Sequence, residues 1–286
     1  MGKKLSGLFF ILSLVVSGQV PNTDLWLFKI ETDKLKQTVL KNPLNITNRE
    51  GYDNQPSFSG DGKRIYYVSI KEDKQADIYY YEITNKTTLP FTKTKLSEYS
   101  PTLTDNGGFI ASVVVEADSA QRIHFINTVS GIDDNKLEMD SVGYFTFLNT
   151  DTVIYYKLTD PHSLRYYVTS TNEDKWLGNA PIRTFKALNR HTFIYGLKDS
   201  TQVHFYKYDF LLRKASRYAS YPSANEDIVW HPLWGLVKSE ETKLLRYDES
   251  KGQWVLLFDL ASFQIKKITR FAFDPKTKYL VVVNNL

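Results

Sequence analysis

The chain has 286 residues, 42% hydrophobic, 24% charged and 14% aromatic, which supplies a core and excludes disordered and collagen-like classes. Its 36 basic and 32 acidic residues leave +4, too small and too mixed a balance to call for nucleic acid or a membrane surface. With no cysteine, disulfide scaffolds, cysteine-ligated zinc, iron–sulfur clusters and thiol catalysis are all excluded.

At the N-terminus, Lys3 and Lys4 precede an apolar run from Leu8 to Val16 that is broken only by Ser13. Val16-Ser17-Gly18 then places compact residues at the positions a signal peptidase reads before a cut at Gln19. The run is about half of the ~20 apolar residues a spanning helix needs. Residues 1–18 are therefore expected to be an export signal, and the mature chain, 19–286, to have no membrane span. No cysteine at the cut means no lipid anchor there. A cysteine-free exported chain of this size can fold without staples, which fits a bacterial periplasm or exterior.

Further along, the chain repeats itself. Six short runs align, starting at Asp24, Asp77, Arg122, Ser163, Gln202 and Lys243, and each has an aliphatic residue second: Leu25, Ile78, Ile123, Leu164, Val203 and Leu244. The last position is aromatic in five of them, Ile126 being the exception. The steps between aliphatic positions are 53, 45, 41, 39 and 41 residues, the length of a propeller blade. Within a unit, a strand at 76–83 leads through the turn Thr84-Asn85-Lys86 to a second strand ending near 90–92. A third begins at Pro56-Ser57-Phe58-Ser59 or its equivalent, and after a tight turn a fourth covers 65–69. Equivalents of that last run are 109–115, 153–156, 193–197, 235–238 and 279–283. Several strands are apolar on both faces, as sheets stacked on sheets require. The mature chain starts with two outer strands, 24–30 and 38–47, and ends with two inner ones, 267–273 and 279–284. The expected fold is all-β: a six-bladed β-propeller of four-stranded antiparallel blades, closed by pairing the N- and C-terminal strands in one blade, which hides two sheet edges.

Gln55-Pro56-Ser57-Phe58-Ser59-Gly60-Asp61-Gly62-Lys63-Arg64-Ile65-Tyr66-Tyr67-Val68-Ser69, followed by Ala76-Asp77-Ile78-Tyr79, resembles the WD40-like repeat of TolB-type propellers. Asp61-Gly62 is the hairpin turn, with glycine free to take positive φ. Weaker copies stand at 99–108 and 271–276. The resemblance implies a propeller of the bacterial envelope that binds proteins or small ligands near its central channel. It is expected to cover the propeller alone, since the residues ahead of Asp24 leave no room for the extra N-terminal α/β domain of TolB.

Catalytic motifs are missing: there is no Gly-x-Ser-x-Gly elbow, no His-Glu-x-x-His and no glycine-rich phosphate loop. Asp133-Asp134-Asn135 starts like a calcium loop but lacks the glycine and distal glutamate, and reads as a solvated turn. His124 and His204 share a column in blades two apart, too far for one metal ion, and read as packed or blade-edge residues. His162 and His191 fall in turns. His231, in Trp230-His231-Pro232-Leu233-Trp234, belongs to a rigid aromatic turn, with a stacking surface for a sugar or peptide as the alternative.

The candidate site is the channel mouth, where loops entering the innermost strands converge. The residues expected there are Asp53, Asn54, Glu98, Tyr99, Arg183, Glu226 and Asp227, accompanied by Val142, Gly143, Ile182, Asn225, Ile268 and Thr269. Carboxylates from three blades would face a cation or a basic group, and Arg183 an acidic one. Beyond such a cation no cofactor is expected. The expected function is a non-enzymatic scaffold that binds an envelope protein or peptide. The rival is a polysaccharide lyase or glycosidase acting on glycan through a carboxylate pair ~5–9.5 Å apart, and a third possibility is a degenerate subunit of an envelope complex, marked by one apolar patch.

Overall fold

The computed structural model describes residues 20–222 and 226–286. The expected export signal, its cut before Gln19, and Asn225 lie outside the described residues.

Among the described residues, 24 strands form four-stranded antiparallel ladders. The first ladder is β3 (Tyr52–Phe58), β4 (Arg64–Ile70), β5 (Ala76–Glu82) and β6 (Thr87–Pro90). The second is β7 (Ser97–Leu103), β8 (Phe109–Val115), β9 (Gln121–Asn127) and β10 (Asp133–Lys136). The third is β11 (Val142–Asn149), β12 (Thr152–Lys157), β13 (Ser163–Val168) and β14 (Glu173–Asn179). The fourth is β15 (Lys186–Ala187), β16 (Thr192–Lys198), β17 (Val203–Asp209) and β18 (Lys214–Tyr221). The fifth is β19 (Ile228–His231), β20 (Gly235–Glu240), β21 (Lys243–Asp248) and β22 (Gln253–Asp259).

The last ladder draws on both chain ends: β23 (Ile268–Phe273), β24 (Tyr279–Asn285), β1 (Thr23–Thr32) and β2 (Thr38–Asn45). β1 runs antiparallel to β24 from Thr23 opposite Asn285 to Lys29 opposite Tyr279. A single parallel bridge, Thr23 to Tyr52, joins this ladder to the first, so the two form one mixed eight-stranded sheet. The one helical element among the described residues is a 3-10 turn at Ala261–Phe263, and no helix among them is long and apolar enough to cross a membrane.

The repeating aliphatic column explains why the ladders stack. Leu25, Ile78, Ile123, Leu164, Val203 and Leu244 stand in β1, β5, β9, β13, β17 and β21, and none is more than 1% exposed. Each lies in a hydrophobic cluster shared by two ladders. Tyr66 and Ile78 meet Ile110 and Ile126; Ile123 meets Val142 and Val153; Leu164 meets Phe185 and Phe193; Val203 meets Ile228 and Leu236. Leu244 meets Phe28 and Val282, and Leu25 meets Phe58 and Ile65. The chain-end ladder thus packs on the fifth ladder with one face and on the first with the other. Burying both faces is what made these strands mostly apolar, as in β4, where every residue from Ile65 to Ile70 is buried.

The tight turn of the repeat recurs in all three copies. In the first, the Gly62 N–H donates to the Ser59 carbonyl (2.9 Å) and Gly62 has φ +73°. Gly107 on Thr104 (2.8 Å, φ +68°) and Thr277 on Asp274 (3.0 Å, φ +57°) repeat it, so the weakest copy keeps the geometry with threonine in the glycine position. His231 closes the β19–β20 hairpin differently. Its Nδ1 accepts the Leu233 N–H (3.1 Å) and its ring stacks on Trp234 at 4.0 Å. Burial lowers its pKa to about 4, so the ring is neutral at neutral pH. The solvated turn expected at Asp133-Asp134-Asn135 is instead the start of strand β10. Its residues are exposed, but Asn135 and Lys136 pair with Phe125 and His124 of β9.

Candidate functional site

The first strands of successive ladders are neighbours: β3 beside β7, β7 beside β11, β11 beside β15, β15 beside β19, β19 beside β23, and β23 beside β3. Residues of all these strands line one cavity of about 310 Å³. In β3 and β7 the proline of Gln55-Pro56 and of Ser100-Pro101 has no N–H for the ladder, and both strands bulge there. Gln55 (φ +59°) and Ser100 (φ +55°) take left-handed backbone at the bulges. They are tied together by the Ser100 N–H donating to Gln55 Oε1 at 2.5 Å, and both line the cavity.

Of the seven residues expected at the channel mouth, Arg183 and Asp227 line this cavity, whereas Asp53, Asn54, Glu98, Tyr99 and Glu226 do not. Asp53 is fully buried, and its Oδ1 accepts from Arg49 Nη2 at 2.8 Å. Burial raises its pKa against the opposing pull of Arg49. Asn54 folds onto the backbone, accepting the Gln55 N–H at 2.8 Å. Tyr99 is half-buried among Tyr52, Val68 and Ile70.

Glu98 is fully buried at the start of β7. Thr92 Oγ1 accepts the Ile78 N–H (3.0 Å) and donates to Glu98 Oε2 (2.8 Å), while Thr94 bonds the other carboxyl oxygen. Burial pushes the Glu98 pKa up to about 7, the two threonines offsetting part of the rise. The carboxyl therefore clasps the first ladder to the second.

Arg183, Glu226 and Asp227 do come together. The Arg183 Nε donates to Asp227 Oδ1 (3.2 Å), its Nη2 to the Thr269 carbonyl (3.0 Å), and its backbone N–H to Glu226 Oε2 (3.2 Å). Glu226 also pairs with Lys198. The carboxylates thus meet donors in separate places rather than one shared point. Among the described residues no group of three or more His, Cys, Asp or Glu is placed to hold a metal ion.

Among the cavity residues the sequence did not point to are Tyr144, Lys186 and Arg270. The Arg270 guanidinium lies over the Tyr144 ring at 5.3 Å, with Nη2 3.4 Å from the Tyr144 hydroxyl. The Lys186 ammonium makes no hydrogen bond or ion pair with a described residue. Burial lowers its pKa against the attraction of Asp227, and the nearby Arg270 charge lowers it further. For Tyr144 and Arg270 the signal that could have found them is an offset. Gln55, Ser100, Tyr144 and Arg270 each stand two positions past a residue expected at the mouth, namely Asp53, Glu98, Val142 and Ile268. The cavity is lined by the strands themselves, deeper than their entrances.

No protein-family model and no curated protein matches the sequence. Solved structures do match its fold. An Agrobacterium tumefaciens protein assigned as TolB superposes with a TM-score of 0.67 at 11% identity, over 94% of this chain and 99% of that one. An auxiliary nutrient binding protein of Bacteroides thetaiotaomicron gives 0.58 at 8% identity, over 82% of this chain and 69% of that one. An oligogalacturonate lyase in complex with manganese gives 0.56 at 11% identity, over 90% and 82%. At such identities the likeness speaks to architecture alone: the chain has the fold of a TolB-like β-propeller.

Proposed function

We propose that the chain is a six-bladed propeller closed by the ladder built from its two ends, exported by way of residues 1–18, and serving in the bacterial envelope as a non-enzymatic scaffold that binds a protein or peptide partner at its central channel. The observation that carries this reading is the single cavity lined by the first strand of every ladder. The pairing of β1 with β24 and the hydrophobic clusters on both faces of that ladder support closure. A ring of sheets that meets at one concave point offers its ligand site there.

The rival, a glycan-degrading enzyme, draws on the likeness to the oligogalacturonate lyase. Against it, Asp53 and Glu98 are fully buried and hydrogen-bonded within the ladders, away from the cavity lining. The test is affinity capture from envelope extract with the wild type and with Ser57→Trp, which fills the cavity, run beside a polysaccharide-degradation screen. The scaffold reading expects a partner that the wild type retains and the filled variant loses, with no glycan turned over. Turnover of a glycan would overturn it, and capture that survives Ser57→Trp would move the site out of the channel.

A further inference from the structure

Cavity charges do not balance. Among the described residues, Arg183, Lys186 and Arg270 face it with Asp227 as the one lining carboxylate, and Asp227 is already paired with Arg183 at 3.2 Å. Arg183 is satisfied further by the Thr269 carbonyl. Lys186 and Arg270 remain. Arg270 reaches a phenol at the limit of hydrogen bonding, and the Lys186 ammonium bonds no described residue. Two like charges held close in a half-buried cavity cost stability, and packing of the ladders needs neither. The hydrophobic clusters between ladders are complete without them.

Beside these cations the lining is mixed: Pro56, Pro101 and Val229 supply apolar surface next to Gln55, Ser57 and Thr102, while Phe145, Phe185 and Phe271 are buried in the clusters between ladders. The volume, about 310 Å³, lies at the small end of ligand cavities, where an amino-acid-sized molecule fits. The guanidinium fork of Arg270 matches the two oxygens of a carboxylate, and the ammonium of Lys186 supplies a point charge beside it.

We propose that the channel is an anion site in which Lys186, Arg270 and the Tyr144 hydroxyl receive one carboxylate carried on an apolar body. This rests on the channel being the binding site and names what it takes. The carboxylate neutralises the unpaired charge, and Pro56, Pro101 and Val229 meet the body. A peptide C-terminus and a free organic acid share this chemistry.

The test is calorimetry on the full chain at neutral pH with N-acetyl-phenylalanine, its primary amide, phenylacetate, galacturonic acid and inorganic phosphate. N-acetyl-phenylalanine is expected to bind and its amide to bind about tenfold more weakly or worse, since only the acid offers a charge-assisted contact. Lys186→Gln and Arg270→Gln should each lose about tenfold or more for the acid, while Lys251→Gln, at an exposed turn, should lose nothing. Should Arg270→Gln fail to melt cooperatively, Arg270→Lys and the salt dependence of wild-type binding replace it, with weaker binding at higher salt expected. Binding of phenylacetate as tightly as N-acetyl-phenylalanine points to a free acid; preference for the latter points to a peptide terminus. Equal binding of acid and amide, unaltered binding by the variants, phosphate binding as tightly as the acids, or no binding up to ~10 mM would each overturn the proposal. Binding of galacturonic acid alone would overturn the apolar body. A partner captured through the channel by Lys186→Gln as well as by the wild type would sink this assignment and leave the scaffold standing.

Discussion

Glu98→Gln separates a structural carboxyl from a catalytic one. Glu98 has its pKa pushed by burial from 4.5 up to about 7. In the unfolded chain the carboxyl ionises at the ordinary value; in the fold it holds its proton longer. Stability is therefore greatest below the unfolded value, falls as pH rises from there, and has lost the full amount once pH exceeds about 7. At 1.36 kcal/mol per pKa unit the loss is about 3 kcal/mol. Protonated Glu98 is fully bonded, donating to Thr94 and accepting from Thr92, while the Thr94 hydroxyl turns to the Leu96 carbonyl at 3.1 Å. A glutamine reproduces that arrangement and does not ionise. Urea unfolding followed by tryptophan fluorescence from acid to mildly alkaline pH should show the wild type losing stability relative to Glu98→Gln by about 3 kcal/mol, with the curves converging in acid. Parallel pH profiles for the two proteins would refute the burial argument.

Arg49→Met leaves the Asp53 carboxyl buried without its cation and should cost ~3–5 kcal/mol at neutral pH. The loss should shrink in acid, where Asp53 takes up a proton, and equilibrium unfolding at two pH values checks both parts. Leu164→Ala empties a fully buried position between the third and fourth ladders and should cost ~2–5 kcal/mol, read from the urea midpoint. Gly62→Ala and Gly107→Ala both place a side chain at positive φ, at ~1–2 kcal/mol each. At Gly62 the new Cβ would also stand 3.0 Å from Asp274 Oδ2, whereas at Gly107 it meets open space, so Gly62→Ala should melt lower than Gly107→Ala.

The architecture was legible because it is written in local terms. A ladder face alternates every second residue, so Leu25, Ile78, Ile123, Leu164, Val203 and Leu244 marked the strands buried between sheets. The turn at Asp61-Gly62 showed itself through the backbone φ that glycine permits. Where glycine was replaced, as at Thr277, the same turn was harder to see and yet is present. Asp133-Asp134-Asn135 misled because exposed polar residues serve an outer strand as readily as a turn, and only the pairing with β9 decides.

The site was less legible because a carboxylate near a strand entrance can turn to a neighbour or to the channel. Arg49 for Asp53, and Thr92 with Thr94 for Glu98, settle that choice through contacts the sequence does not mark. Arg183 and Asp227 meet across two ladders. Lys186 and Arg270, set within strands rather than ahead of them, were passed over although they carry the unbalanced charge of the cavity.

In the proposed propeller, ring closure by the two chain ends is what makes a channel, and a single engineered disulfide tests it. The Ile30 N–H donates to the Lys278 carbonyl at 2.8 Å, which makes the adjacent pair, Lys29 and Tyr279, the non-hydrogen-bonded one. Such pairs hold their Cα atoms ~4.5 Å apart, within the reach of a disulfide. With no native cysteine to compete, Lys29→Cys combined with Tyr279→Cys should oxidise to an intramolecular bond in the monomer and raise the urea midpoint. Two free thiols persisting in the folded, oxidised protein, or cross-links only between molecules, would contradict a ring sealed by its own ends.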